Sequence, residues 1–162
     1  MLLADDAWPT LEQLQRDEDE TVLPSLNEKV AYDLGRLAVD AAWAEGLPIV
    51  VGLWRGDHQL FHVELPGSTQ DNDEWLRRKG RVVMRFEHSS LHVGQMCRDL
   101  DTTLEEKFLL PAAEYAASGG AVPLRTRDAG VVGWMGVSGL PQREDHAFVV
   151  RILRQHLAGP VG

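Results

Sequence analysis

The sequence predicts an α/β protein of the α+β type, in which helices cover a mostly antiparallel sheet. Two pairs of β-type segments, residues 49–65 and 121–138, are each joined by a short turn. Hairpin turns cannot join parallel strands, so a doubly wound parallel sheet fits less well. Apolar residues recur at helical spacing around both pairs. A lone β-type run at residues 21–23 completes the five expected strands.

The N-terminal region contains a tail, a short helix and the lone strand. We expect residues 1–8 to be a flexible tail and Pro9 to lie in the first turn of the helix. That helix continues into the acidic residues 17–20, which we interpret as a solvated face. Pro24 ends the lone strand.

The next helix is the most clearly delimited element in the sequence. Ser25 and Glu28 form a capping-box pattern, and Gly46 stands just past the last residue of the apolar pattern. The first hairpin follows and turns at residues 55–57.

The stretch from Pro66 to His92 forms the centre of the prediction. Its first helix begins near Asp71, with Asp71 and Glu74 as caps, and a second helix begins at residues 88–90. Gly80 in mid-helix costs about 1 kcal/mol relative to alanine, so we expect it to permit close packing or a bend.

The C-terminal third contains the second hairpin and the last helix. Gly133 and Gly136 lie among apolar residues of the later strand and predict a close approach by a helix or ligand. Pro141 begins the last helix. In the turn before it, the backbone amides are candidates for binding an anion, but the acids of the helix's first turn favour a capping role.

Composition limits the functions that the chain can have. Its 162 residues, of which 44% are hydrophobic, fit one domain, which we place at residues 9–158. A net charge of -9 argues against binding to nucleic acid or to an anionic membrane. The single cysteine, Cys97, excludes an internal disulfide and a cysteine-based zinc site. Without a visible signal peptide or transmembrane run, we expect a cytoplasmic protein.

An arginine stripe lies along the central helix and consists of Arg77, Arg78, Arg81 and Arg85. One interpretation is a solvated face whose arginines pair with acidic neighbours, including those of another subunit. The other is recognition of a carboxylate or phosphate, which the planar guanidinium suits. The sequence leaves both open.

Two polar residues of the central helix, Asn72 and Lys79, fall on its apolar side beside Trp75. Buried polar groups are costly unless they have partners, so these residues indicate either a polar hollow or a buried pair. For Lys79 the sequence offers two acidic partners, Asp145 and Glu64. A lysine that keeps its ammonium group in water is the alternative.

His88 and His92 have the four-residue spacing of two metal ligands on one helix face. They lack the intervening glutamate of a metalloprotease motif, and a structural role is favoured. His62 is a candidate third ligand, although spacing alone does not place it near the other two.

Several short motifs between residues 11 and 157 occur together: Pro66-Gly67, Asp71-Asn72-Asp73-Glu74-Trp75, Arg77-Arg78-Lys79, His88-Ser89-Ser90, Ser118-Gly119-Gly120 with Pro123, and Val137-Ser138-Gly139-Leu140-Pro141 with Asp145-His146. The combination resembles the GlcG/HbpS-like superfamily, in its branch of haem-degrading domain-containing proteins. The resemblance implies a profilin-like three-layer α/β/α sandwich with a five-stranded antiparallel sheet. It also implies assembly into dimers or larger rings or shells.

The resemblance further implies an oligomeric protein that binds a small ligand, with haem as the candidate cofactor. His88 or His62 would then contact the haem iron, and arginine or lysine side chains would hold the propionates. The candidate binding residues are Asn72, Trp75, Arg78, Lys79, Arg85, His88, Ser89, His62 and Asp145. Two alternatives remain, a non-catalytic scaffold that uses the arginine stripe as a subunit interface and a site for another small anion.

Overall fold

The computed structural model of the protein describes residues 7–159. The expected flexible tail therefore lies mostly outside the described residues. The elements, in chain order, are α1 (Leu11–Glu20), α2 (Glu28–Glu45), β1 (Val50–Arg55), β2 (His58–Glu64), α3 (Gln70–Phe86), α4 (Ser90–Asp99), α5 (Leu104–Phe108), β3 (Ala121–Thr126), β4 (Gly130–Ser138) and α6 (Gln142–Ala158).

The sheet is antiparallel throughout and has the strand order β2-β1-β4-β3. Both predicted hairpins are present, but the sheet has four strands and not the five that we expected. Of the lone strand, Leu23 alone forms an isolated bridge, with Thr126 of β3. Pro24 has no backbone N–H to continue a ladder, so a single bridge is all that forms there.

Helices pack on both faces of the sheet. On one face, α2 and α6 bury the larger apolar cluster, which includes Val51 and Leu53 of β1. On the other, α3 covers Val50 and Trp54, the alternate residues of the same strand. The helix α4 packs beside α3, and α1 packs on α4. Within residues 7–159 no helix has both the length and the apolar character needed to cross a lipid bilayer.

Two of the predicted helix starts are wrong in their capping residue. The helix α2 is capped by Asn27 and not by Ser25. Asn27 Oδ1 accepts a hydrogen bond from Val30 N at 2.9 Å. The helix α3 starts at a capping box of Thr69 and Asn72 and not at Asp71. Short polar side chains compete for the cap, and the local backbone decides which one reaches the free amide groups. The predicted end of α2 is confirmed, with Gly46 at φ 66°.

Glycines let α3 approach the sheet closely, as the sequence predicted. A Cβ atom on Gly80 would lie 2.2 Å from the Trp134 ring. On the strand side, a Cβ atom on Gly136 would lie 2.8 Å from the side chain of Leu76. This close contact positions the turn of α3 that contains Lys79 against the end of β4.

Candidate functional site

Lys79 and Asp145 form a buried ion pair beyond the end of the sheet. Lys79 lies on α3 and Asp145 in the first turn of α6, so the pair links the helical layers of the two faces. Lys79 Nζ lies 3.1 Å from Asp145 Oδ2 and 3.4 Å from the carbonyl oxygen of Val137. The two residues are 3% and 1% exposed. The predicted inward orientation of Lys79 is confirmed, with Asp145 and not Glu64 as its partner.

Burial acts on the charges of both partners. Desolvation lowers the pKa of Lys79 and raises the pKa of Asp145, and their mutual attraction opposes both shifts. Asp145 Oδ1 also accepts a hydrogen bond from Leu140 N at 3.0 Å. The turn before α6 therefore gives this amide group to Asp145, although no side chain caps the first amide groups of the helix itself.

A small hollow of about 250 Å³ opens beside this pair. Four predicted site residues line it: Asn72, Trp75, Lys79 and Asp145. The rest of its lining is Ser118, Ser138, Gly139, Leu140 and Gln142. Neither Ser118 nor Gln142 was predicted to lie at the site, because neither follows from the periodicity of α3. The only sequence signals for them were the turn at residues 118–120 and the start of the last helix.

The side-chain amides around the hollow already use their oxygen atoms. Asn72 Oδ1 accepts from Thr69 N at 2.8 Å, within the capping box of α3. Gln142 Oε1 accepts from Gly119 N at 3.0 Å. Each amide is left with an NH₂ group, and the Lys79 ammonium has three protons for its two acceptors. Most of the remaining hydrogen-bonding capacity of these three side chains is therefore to donate.

Within residues 7–159, most of the arginine stripe does not pair with acidic side chains of the same chain, and pairing with another subunit stays a prediction. Arg77 is the one member with a carboxylate partner among residues 7–159, Asp73 at 3.3 Å. Arg78 and Arg81 instead donate to carbonyl oxygens of the loop after α5, at residues 112 and 114. The guanidinium of Arg78 also lies 4.0 Å from the centre of the Trp75 ring, at the edge of the hollow. Arg85 is exposed.

His62 and His88 lie in separate contacts, and neither lines the hollow. His62 Nε2 is 2.6 Å from Asp73 Oδ1, and its ring meets Trp54 edge-on. The predicted grouping of His62 with the other two histidines is therefore wrong. The strand β2 and the start of α3 hold His62, whereas His88 follows the end of α3.

His88 and His92 do form a cluster, but their third member is Glu18. The two rings stack with their centres 4.0 Å apart. His88 Nδ1 lies 2.8 Å and His92 Nδ1 3.4 Å from the carboxylate of Glu18. Ser89 caps α4, and its backbone N–H donates to Glu18 Oε1 at 2.7 Å. We refer to Glu18, His88 and His92 as the histidine cluster.

Glu18 is the exception to the interpretation of the acidic run as a solvated face, which the exposed Asp19 and Glu20 fit. It is 6% exposed because α1 packs on α4 at this point. Burial by itself would raise the pKa of Glu18, but its contacts with His88, His92 and Ser89 N outweigh burial and lower the pKa to about 2. The hydrogen bond with Glu18 raises the pKa of His88. The cluster thus contains a buried carboxylate that stays ionised.

Comparisons with known proteins agree with the fold. The sequence matches the family model of HbpS-like haem-degrading proteins over residues 26–154. It is 47% identical to a UPF0303 protein of Streptomyces avermitilis over 152 residues, which cover 94% of this chain and 93% of the relative. The crystal structure of the Ybr137w protein has a TM-score of 0.85 at 34% identity and covers 96% of this chain and 91% of that one.

A more distant structure is the PduOC:heme complex. Its TM-score is 0.66 at 18% identity, with 81% of this chain and 94% of that chain covered. At that level of identity the likeness concerns the fold alone.

Proposed function

Since this chain belongs to the HbpS-like family of haem-degrading proteins, we propose that it binds a tetrapyrrole or another small anionic ligand through a carboxylate in the hollow beside Lys79. The observation that carries the proposal is the donor character of that hollow. Asn72, Gln142 and Lys79 all have unused N–H groups there. A ligand carboxylate has only acceptors and is the complementary group.

The net charge of the hollow is compatible with an anion. Asp145 neutralises Lys79, so the lining is neutral and not cationic. Arg78 stands at the edge over Trp75 and supplies a positive charge where a ligand would enter. The indole of Trp75 is about one-third exposed and offers an apolar face for a flat ligand body.

The size of the hollow decides how much of a tetrapyrrole it accommodates. At about 250 Å³ it is smaller than the ~300–1,000 Å³ clefts that bury drug-sized ligands. We therefore place one propionate in the hollow and the macrocycle outside it, against Trp75. A smaller carboxylic acid would fit entirely.

Haem iron would have to find its ligand outside the hollow, since no His, Cys, Met or Tyr is among its lining residues. Of the two predicted histidines, His62 lies nearer the hollow, because its Nε2 contacts Asp73, the neighbour of Asn72. This contact leaves Nδ1 for the iron, and a carboxylate behind an imidazole raises the basicity of the ligand. His88 follows the far end of α3, roughly 20 Å along the helix axis from Trp75.

Titration with haem and with iron-free protoporphyrin IX, followed by the Soret band, tests the proposal. We expect saturable binding of both, because the propionates and not the iron provide the main contacts. His88→Ala and His62→Ala then test the iron ligand, since loss of that ligand weakens haem but not protoporphyrin. An absence of saturable binding of either porphyrin would leave only a non-tetrapyrrole carboxylate as the ligand.

The matched variants for this titration are Asn72→Asp and Asn27→Asp. Both substitutions keep an oxygen that caps a helix and add a negative charge, but only the first removes a donor from the hollow and places the charge there. We expect Asn72→Asp to weaken porphyrin binding by at least about tenfold, which corresponds to roughly 1.4 kcal/mol. Asn27→Asp should bind like the unchanged protein.

Self-association is a second proposal, and α2 carries the observation in its favour. Tyr32 and Trp43 are 53% and 61% exposed. On an α-helix, residues eleven positions apart lie about 20° from each other around the axis, so the two rings share one outer face. Exposed aromatic groups on one face favour contact with a second copy of the chain.

Light scattering separates this interface from the arginine stripe. An assembly held by α2 should dissociate in Trp43→Ser and resist salt, because apolar contacts are not screened. An assembly held by the arginine stripe should dissociate in high salt. A chain that is monomeric in both conditions would remove the proposal of self-association.

A further inference from the structure

We propose that Glu18, His88 and His92 form a binding site for one divalent transition-metal ion. Within residues 7–159 they are the one group of three or more His, Cys, Asp or Glu side chains with ligand atoms mutually within 4.8 Å. The site is separate from the hollow beside Lys79, none of whose lining residues it shares. It therefore goes beyond the proposed carboxylate binding.

The chain brings the three ligands together from distant parts of the sequence. Glu18 comes from α1, His88 follows α3, and His92 lies in the first turn of α4. The spacing of His88 and His92 stacks their rings, and both Nδ1 atoms lie near the same carboxylate. Packing of α1 on α4 fixes the position of Glu18. The ligands are thus assembled by the fold before any metal binds.

The distances suit a small ion after modest side-chain movement. Zinc–ligand bonds of about 2.0–2.2 Å place the ligand atoms of a tetrahedral site roughly 3.4 Å apart. His92 Nδ1 already lies 3.4 Å from Glu18 Oε1, and His88 Nδ1 lies 2.8 Å from Oε2. Rotation of the His88 ring away from the carboxylate makes room between the three atoms.

One ligand atom in the cluster lacks a partner in the protein. His92 Nδ1 is buried and makes no hydrogen bond of acceptable geometry, in spite of the nearby Glu18 oxygen. A buried nitrogen without a partner is costly. Protonating both histidines would not resolve this cost, because two imidazolium rings stacked at 4.0 Å would repel each other. A single cation between the nitrogens and the carboxylate satisfies all three groups.

The donor set indicates the class of metal. Two imidazole nitrogens and one carboxylate suit Zn²⁺ or Fe²⁺, whereas Mg²⁺ and Ca²⁺ prefer all-oxygen sites. Three protein ligands leave at least one coordination position for water or another small ligand. His88 is the most exposed of the three side chains, so that open position would lie on its side of the cluster.

Cobalt titration of the full, untagged chain after treatment with a chelator tests the site. We expect one Co²⁺ per chain, visible d–d absorption of a low-coordinate N/O site, and displacement by one equivalent of Zn²⁺. Glu18→Gln and His88→Asn should each weaken Co²⁺ binding by at least about tenfold. An excess of Mg²⁺ should not compete.

Glu12→Gln and His58→Asn are the matched controls, because they make the same changes at exposed positions. Both should bind Co²⁺ like the unchanged protein. Far-ultraviolet circular dichroism of each variant separates loss of ligand from loss of fold, and His88→Asn, which changes the most exposed ligand, serves if Glu18→Gln does not fold. No binding by the folded chain, or unchanged binding in folded His88→Asn, would overturn the proposal. Neither result bears on porphyrin binding.

Discussion

The Lys79–Asp145 pair and the histidine cluster solve the same electrostatic problem in different ways. Each surrounds a buried carboxylate with nitrogen groups from another part of the chain. At Asp145 the counter-charge is the Lys79 ammonium, which also donates a hydrogen bond to the carbonyl oxygen of Val137. At Glu18 it comes from imidazoles, which are charged only when protonated.

This difference separates a structural contact from an exchangeable one. A lysine cannot give up its place to a metal ion without leaving its own charge buried, so the pair closes one end of the hollow and orders its lining. Neutral imidazoles are metal ligands, and one nitrogen in the cluster has no partner. We therefore expect the Lys79–Asp145 pair to determine the stability of the fold and the histidine cluster to respond to pH and to metal ions.

The largest effect should follow the loss of Lys79. Lys79→Met leaves Asp145 buried without its counter-charge and should lower the free energy of unfolding by about 3–5 kcal/mol. Urea denaturation followed by tryptophan fluorescence measures the change. The double variant Lys79→Met with Asp145→Leu should recover most of the loss. A single variant within 1 kcal/mol of the unchanged protein would show that the pair is not a structural contact.

A smaller, pH-dependent effect should follow the change Glu18→Gln. It weakens the contacts to His88 and Ser89 N and should cost about 1–3 kcal/mol at neutral pH in the metal-free protein. The folded pKa of about 2 lies below the ordinary 4.5. The stabilisation by Glu18 is therefore complete above pH 4.5 and is lost as the pH falls toward 2. The stability difference between the two proteins should shrink over that interval, and a constant difference would contradict the low pKa.

The smallest effect should come from the outer side of α3. Arg85→Ala removes an exposed side chain and should change the free energy of unfolding by less than about 0.5 kcal/mol. Arg78→Ala removes the contact with Trp75 and should cost about 0.5–1 kcal/mol. Parallel urea denaturation of both variants measures the difference. A larger loss in Arg85→Ala would indicate that this arginine is buried in an assembly.

Sequence periodicity predicted the inward Lys79 and offered Asp145 as one of two possible partners, because both stand on the apolar side of otherwise regular helices. The two hairpins followed from short turns between β-type segments. The fifth strand did not form, since a three-residue run before a proline cannot sustain a ladder.

Glu18 was missed for a different reason. It stands in a run of acidic residues where local pattern indicates solvent, and only the packing of α1 on α4 buries it. The available NH₂ groups of Asn72 and Gln142 could not be predicted from the sequence either. Their orientation depends on hydrogen bonds to Thr69 and to Gly119, and the second of these partners lies on a distant loop.

The donor-lined hollow is the central claim, and Gln142→Glu tests it most directly. Glutamate keeps the oxygen that accepts from Gly119 N, and it replaces the NH₂ group with a negatively charged oxygen. Gln13→Glu makes the same change at the exposed cap of α1 and is the control. We predict that Gln142→Glu folds normally and binds protoporphyrin IX at least about tenfold more weakly than Gln13→Glu. Equal affinities of the two variants would contradict the claim.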